Sequence, residues 1–234
     1  LTSLTLLLIY LRNIQGELGR ALNAAIVVEN RAGAGGTLGT TAVAKATDGN
    51  TLLMTAASHN ISGHLYKSPG YHPINDFTGV SYVGRSGFVI VAPGTLGIGT
   101  LQDYVKALKA KPGEYNYASA GQGGATHLGM ASFLSRAGVE MQHNPMKSTG
   151  EAMNEVIAGR AQGVTAAMIG VAGFRNDARL KLLAYTGAQR SRHLPEVPTV
   201  AESGFPGFDY DTWFALLAPA SMPKAEVAKI HAAM

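Results

Sequence analysis

An α/β fold with parallel sheets is what the sequence predicts, and two observations carry that expectation. Short apolar or β-branched runs alternate with segments of helical periodicity, and clusters of Gly and Pro stand at the joints between them. The 234 residues are 46% hydrophobic and only 15% charged. That is enough apolar surface for a real core in one or two domains, and too little charge for a disordered chain. In open sheets of this kind ligands sit at the carboxyl ends of strands, where the Gly-rich loops of this chain fall.

Residues 1–11, LTSLTLLLIYL, form an apolar run too short to span a bilayer. Two readings stay open. One is the tail of a signal segment, although no basic stretch precedes it and no clear small-residue cleavage site follows. The other is a buried strand. Residues 12–22 then read as an amphipathic helix, with Ile14, Leu18 and Leu22 at helical spacing. The β-branched run 26–28 predicts a short strand, 29–36 a Gly-rich loop and 37–46 a helix. Asp48-Gly49 marks a turn into a buried strand over 51–55. Residues 56–79 read as irregular, broken by Pro69-Gly70 and Pro73. Two apolar runs, 80–83 and 88–91, are separated by the stretch 84–87, which begins and ends in Gly. Thr100 caps a helix that continues through residue 109, and Pro112-Gly113 turns the chain into a strand at Tyr115 and Tyr117. Helices are expected over 125–137 and 149–158. The second has Ala152, Val156 and Ile157 on one face and Ser148 or Thr149 as its N-cap. A strand over 180–185, a short helix from Val197-Pro198-Thr199, a last strand over 213–217 and a terminal helix begun by Pro223 complete the series.

Composition removes several classes of function. The chain has no Cys, so disulfides, thiolate nucleophiles and Cys-based zinc sites are out. Its net charge is +4, with the basic residues spread along the chain and no Lys/Arg run interleaved with aromatics, so nucleic acid is not an expected partner. The run Gly33 to Gly39 approaches a dinucleotide fingerprint but has Leu38 where the third Gly belongs. Neither a phosphate-binding loop with its Gly-Lys-Ser/Thr ending nor a Gly-x-Ser-x-Gly elbow occurs. His59 and His64 stand five apart, off one helix face and without a nearby carboxylate, and read as loop histidines. No cofactor and no metal are expected. Trp213 and Phe214 read as core.

The informative stretch is NYASAGQGGATHL, residues 116–128. A strand feeds a turn of small residues, and a helix follows. Small residues let a ligand approach the backbone, and a helix start offers unpaired N–H groups that favour an anion. Ser119 and Thr126 add hydroxyls and His127 an imidazole. Such a turn holds a carboxylate without burying an Arg or Lys against it; it is also what an ordinary Gly-rich strand-to-helix connection looks like.

Four segments in order then carry a resemblance: VENRAGAGG (28–36), ATDGNTLL (46–53), NYASAGQGGATHL, and RSRHLPEVPTVAESGFPGFDYDTWFALLAPASMPK (190–224). Together they resemble the Bug-type solute receptors of tripartite tricarboxylate transporters, from about residue 25 to residue 234. The LPEVPTVAESG and LLAPA-x-x-P elements are the specific ones. The resemblance implies a two-domain periplasmic-binding-protein (Venus flytrap) architecture with two crossover strands, residues 1–93 with 212–234 forming one domain and 94–211 the other. It implies a periplasmic, monomeric receptor, not an enzyme, that closes over a small organic acid and delivers it to membrane transporter subunits. The carboxylate would be held by backbone amides, hydroxyls and bridging waters. The residues expected at the site are Ser119, Ala120, Gly121, Gly123, Gly124, Thr126 and His127 from one domain, with Ser58 and Asn60 from the loop after the second strand in the other.

Two departures stand out. Family members usually open with a basic-apolar strand and a Pro-Gly-Gly loop that forms half of the ligand pincer, whereas residues 3–8 here read SLTLLL. An Asp often lies near the pocket after the helix at 149–158, whereas GRAQGVTAAMIG (159–170) has Ala166 and Ala167 there. A buried ammonium wants a carboxylate partner, so the expected ligand is a carboxylate without an amine, such as a dicarboxylate or an aromatic acid. Two alternatives share the architecture. One is a sensor domain for a signalling partner. The other is an enzyme with His127 as general base, for which the sequence supplies no matching nucleophile or metal.

Overall fold

The computed structural model describes residues 4–31, 36–65 and 68–234. In chain order its elements are α1 (Leu4–Leu22), α2 (Thr37–Ala44), β1 (Leu53–Ala56), α3 (Ser58–Leu65), β2 (Phe77–Pro93), α4 (Leu101–Ala110), β3 (Asn116–Ser119), α5 (Ala125–Ala137), β4 (Gln142–Pro145), α6 (Thr149–Ile157), β5 (Gly163–Ala167), α7 (Met168–Val171), β6 (Leu180–Tyr185), β7 (Asp211–Pro219) and α8 (Lys224–Ala233). The chain divides into two compact units, one of residues 86–212 and one of residues 4–85 with 213–234. It passes between them twice, inside β2 and inside β7.

The unit of residues 86–212 is built on a mixed sheet in the order β6–β2–β5–β3–β4. β3 runs parallel to both β4 and β5, while β2 is antiparallel to β5 and β6. Phe88 to Ala92 are buried without interruption, the signature of a strand covered on both faces. Alternate side chains serve different layers. Ile90 packs with Leu101, Tyr104, Met130 and Phe133, and Val89 and Val91 pack with Val156, Val164 and Val171. Helices α5 and α6 lie against β3 and β5. Local chemistry places each helix. Thr100 and Asp103 form a capping box at α4. Ser148 accepts the Glu151 amide at α6, and Gly138 ends α5 in the left-handed conformation.

In the other unit β1 pairs antiparallel with β7, Leu53 opposite Leu217, and β7 neighbours β2. Val80, Leu216, Ala218, Met222 and Ile230 form its core, joined by Leu22, Met54 and Val227.

Several expectations change. For the described part of residues 1–11, from residue 4 on, the strand alternative is overturned by α1, one helix from Leu4 to Leu22, rich in Leu and free of Pro. It ends at Asn23, at φ 51°, with Ala24 N–H donating to Gly19 O (2.9 Å) and Asn23 N–H to Arg20 O (3.2 Å), a Schellman pattern. Residues 26–28 form no strand; Val27 is exposed, and no described strand pairs with the run. The irregular stretch 56–79 contains α3, so Ser58, His59 and Asn60 open a helix and do not lie in a loop. The 80–83 and 88–91 runs belong to one strand, because residues 84–87 stay extended. Val197-Pro198-Thr199 leads only into a capped turn. Ser203 N–H reaches Thr199 O (3.0 Å), and Gly204 at φ 97° ends it. The weakly patterned β4 and the Ala-rich β5 are strands that periodicity did not reveal.

Candidate functional site

β3 delivers the chain to residues 120–124, and α5 begins at Ala125. Gly121 (φ 125°) and Gly123 (φ 72°) occupy conformations that L side chains avoid. Three side chains then fix three amides of this turn. The Ser119 hydroxyl accepts Gly121 N–H (3.2 Å), the Thr126 hydroxyl accepts Ala120 N–H (2.9 Å), and His127 Nδ1 accepts Gly123 N–H (3.0 Å). Gly124 N–H closes onto Gly121 O at 3.3 Å. Ser119 and Thr126 are buried, so their hydroxyls shape the loop from inside.

The helix start is left open. Its N-cap is Gly124, in extended conformation and with no side chain to accept an amide. The first bond into the helix runs from Leu128 N–H to Gly124 O. Among the described residues, nothing accepts the amides of Ala125, Thr126 and His127. The two neighbouring long helices differ: α4 is capped by Thr100 and α6 by Ser148. An uncapped start carries about half a positive charge on orphan N–H groups, which favours an anion without a cation beside it.

The structure adds residues that the sequence did not single out. Parallel pairing sets His143 of β4 opposite Tyr117. The His143 ring stacks on His127 at 4.0 Å and on Tyr117 at 4.9 Å. His143 Nε2 lies 2.7 Å from the Ser119 hydroxyl, and its Nδ1 3.1 Å from Gln122 Oε1. Gly123 N–H leaves His127 neutral, with its proton on Nε2. Burial holds His127 below the ordinary imidazole range. Burial first, and repulsion from His127 second, bring His143 down to about 4. The only advance signal was the strand register, which a four-residue polar strand does not display.

Ser119, His143 and Gln122 follow the order of a nucleophile, a base and an orienting group. Ser119 is fully buried and its hydroxyl accepts the Gly121 amide, so the chain acts as a brace for the loop. The remaining expected residues fall elsewhere in the fold. Ser58 and Asn60 lie in the first turn of α3, in the other unit, with Asn60 exposed. His59 between them is buried against Tyr71 and Phe77 and donates from Nε2 to Pro73 O (2.9 Å), a packing role and not that of a loop residue. Ser148 is the N-cap of α6. Ala166 and Ala167 are buried in β5. Among the described residues no group of three His, Asp or Glu side chains is placed to hold a metal, and no helix is long and apolar enough to cross a membrane.

Comparison with known proteins gives this loop a context. BugT of Bordetella pertussis is 36% identical over 211 residues, covering 89% of this chain and 64% of BugT. A protein from the tcbD-tcbE intergenic region of Pseudomonas sp. strain P51 is 32% identical over 223 residues, covering 94% of the chain and 66% of that relative. The chain thus spans about two thirds of the length of these curated relatives. The periplasmic binding protein BugD superposes with a TM-score of 0.87 at 31% identity, over 95% of this chain and 75% of BugD. MatC of Rhodopseudomonas palustris with bound malate superposes with a TM-score of 0.86 at 28% identity, over 95% and 76% of the two chains. The fold is therefore the two-domain α/β fold of periplasmic binding proteins, joined by the crossing strands β2 and β7. With residues 10–234 matching the tripartite tricarboxylate transporter family receptor, the chain belongs to that family of solute-binding receptors.

Proposed function

We propose that the protein is the periplasmic receptor of a tripartite tricarboxylate-type transporter, and that it binds a small organic acid at the start of α5. The observation that carries the reading is the glycine-capped helix start. α5 presents the amides of Ala125, Thr126 and His127 with no internal acceptor, whereas α4 and α6 are capped by their own side chains. A carboxylate oxygen supplies the missing acceptors. Ser119, Ala120, Gly121, Gly123 and Gly124 give the turn its shape, and His127 adds an Nε2–H donor beside it. The malate-bound MatC supports this choice of ligand class.

The proposed ligand carries no amine. The side chains that brace this loop are Ser119, Gln122, Thr126, His127 and His143, none of them acidic. An ammonium buried without a carboxylate costs several kcal/mol. Mass spectrometry of small molecules released from the purified protein should find an organic acid. Titration calorimetry should then rank malate above aspartate, its amino counterpart. Equal or tighter binding of aspartate would refute the ligand class.

A further inference from the structure

Two hydroxyl groups from distant parts of the chain converge on the first turn of α5 from behind. The Tyr210 hydroxyl donates to Ala125 O at 2.9 Å, and the buried Thr165 hydroxyl donates to Thr126 O. Those carbonyls face away from the open end of the helix, but each belongs to a peptide group whose N–H is at that end. The Ala125 carbonyl and the Thr126 N–H are one peptide unit, and the Thr126 carbonyl and the His127 N–H are the next. Both amides lack an acceptor among the described residues. A hydrogen bond accepted by a peptide C=O draws charge through the unit and makes its N–H a stronger donor, by roughly 10–30% per bond.

We infer that Tyr210 and Thr165 are positioning residues for anion binding: their hydroxyls polarise the two peptide groups whose N–H donors face the carboxylate. The proposal rests on the reading of the α5 start as the carboxylate site. The surrounding packing fits it. Gly129 is a glycine inside a helix, where Ala is the favoured residue. A Cβ there would lie 2.9 Å from Tyr210 Cε1 and 3.4 Å from Thr165 Oγ1, so the missing side chain is what lets both hydroxyls reach the helix. Tyr210 is itself held in place. Its N–H donates to Thr186 O (2.8 Å), its carbonyl accepts the Thr186 hydroxyl (2.6 Å), and its ring lies 5.6 Å from that of Phe88. Thr186 also accepts Phe88 N–H (2.8 Å). Tyr210 is thereby anchored where β2 and β7 leave this unit. Burial first, then the neighbouring Asp211, pushes its phenol up to about 12, so it remains a donor throughout the working pH range.

The two hydroxyls are separable by mutation. Tyr210→Phe keeps the ring and Thr165→Val keeps the shape, while Thr165→Ser keeps the hydroxyl. In amide NMR spectra of the ligand-free protein, Tyr210→Phe should move the Thr126 amide proton upfield and Thr165→Val the His127 amide proton, with Thr165→Ser near the wild type. Affinity for malate should fall about two- to fivefold for each single loss and multiplicatively for both, with Thr165→Ser restoring it. Unmoved amide shifts, or wild-type affinity in the folded Tyr210→Phe/Thr165→Val double variant, would overturn the proposal. So would a loss of affinity that Thr165→Ser fails to restore. If the unmodified protein binds neither malate nor the acid recovered from it, the carboxylate reading itself fails, and the amide shifts still decide whether the hydroxyls polarise these peptides.

Discussion

Gly123 offers the sharpest test of the loop. Its φ of 72° lies in the left-handed region, and its N–H is the donor to His127 Nδ1 at 3.0 Å. An L residue held in that conformation costs about 1–2 kcal/mol. If the strained loop relaxes in the free protein, binding must restore it, and the affinity falls by the same free energy. At roughly 1.4 kcal/mol per tenfold, Gly123→Ala should weaken ligand binding about five- to thirtyfold. Gly123→Val should exceed the upper figure, since a β-branched residue at positive φ is a genuine outlier. If the strain is retained instead, it appears as lost stability, about 2–8 °C in Tm for a chain of this size. Calorimetric titration with malate and a thermal melt on each variant measure both terms. Gly150→Ala in α6 is the control, because a Cβ there meets nothing closer than 3.9 Å. Wild-type affinity together with wild-type Tm in Gly123→Val would refute the argument, because the strain would then have gone nowhere. Wild-type affinity with a lowered Tm would remove the loop from the site.

Three further outcomes are expected. Ser119→Ala removes the hydroxyl that meets His143 Nε2 at 2.7 Å and accepts Gly121 N–H, and should weaken binding about tenfold, the worth of one to two lost hydrogen bonds; an unchanged Kd would show that the brace is dispensable. Acidification should destabilise the protein in a defined window. His143 is held at about 4 in the fold against an ordinary value of 6.5, so the unfolded chain binds more protons between those values, and stability that is complete above pH 6.5 drains away as pH falls toward 4. Melting curves at pH 7.5, 6.5 and 5.5 should show it, and His143→Gln should flatten the trend; an equally steep trend in the variant would assign the effect elsewhere. Gly129→Ala sets a helix-propensity gain of about 1 kcal/mol against an overpacking cost of about 1–3 kcal/mol at the Tyr210 ring. The Tm should fall and the affinity should drop as in Tyr210→Phe, and a raised Tm with unchanged affinity would contradict the packing seen.

Features encoded within a few residues of one another were legible in the sequence. The start and end of α5, the Thr100 cap, the Ser148 cap, the Asp48-Gly49 turn and the Pro223 start all follow from turn and cap chemistry, which needs no distant partner. The loop of residues 119–127 was recognisable for the same reason, since small residues before a helix suffice to describe an open helix start.

Features that depend on pairing were not. The run at 26–28 has strand composition but pairs with no strand among the described residues, while 84–87 lacks that composition and is extended because β2 continues through it. Strand identity is decided by what lies alongside, not by the run itself. The same holds at the site. His143 reaches His127 and Ser119 only because β4 pairs parallel with β3 in one register. Thr165 and Tyr210 reach the first turn of α5 from 39 and 85 residues away. The sequence by itself determined that a turn of small residues would open a helix at residues 119–127. Only the tertiary structure decided which side chains brace it, because hydrogen bonds across sheets and helices depend on register and packing that no local pattern encodes.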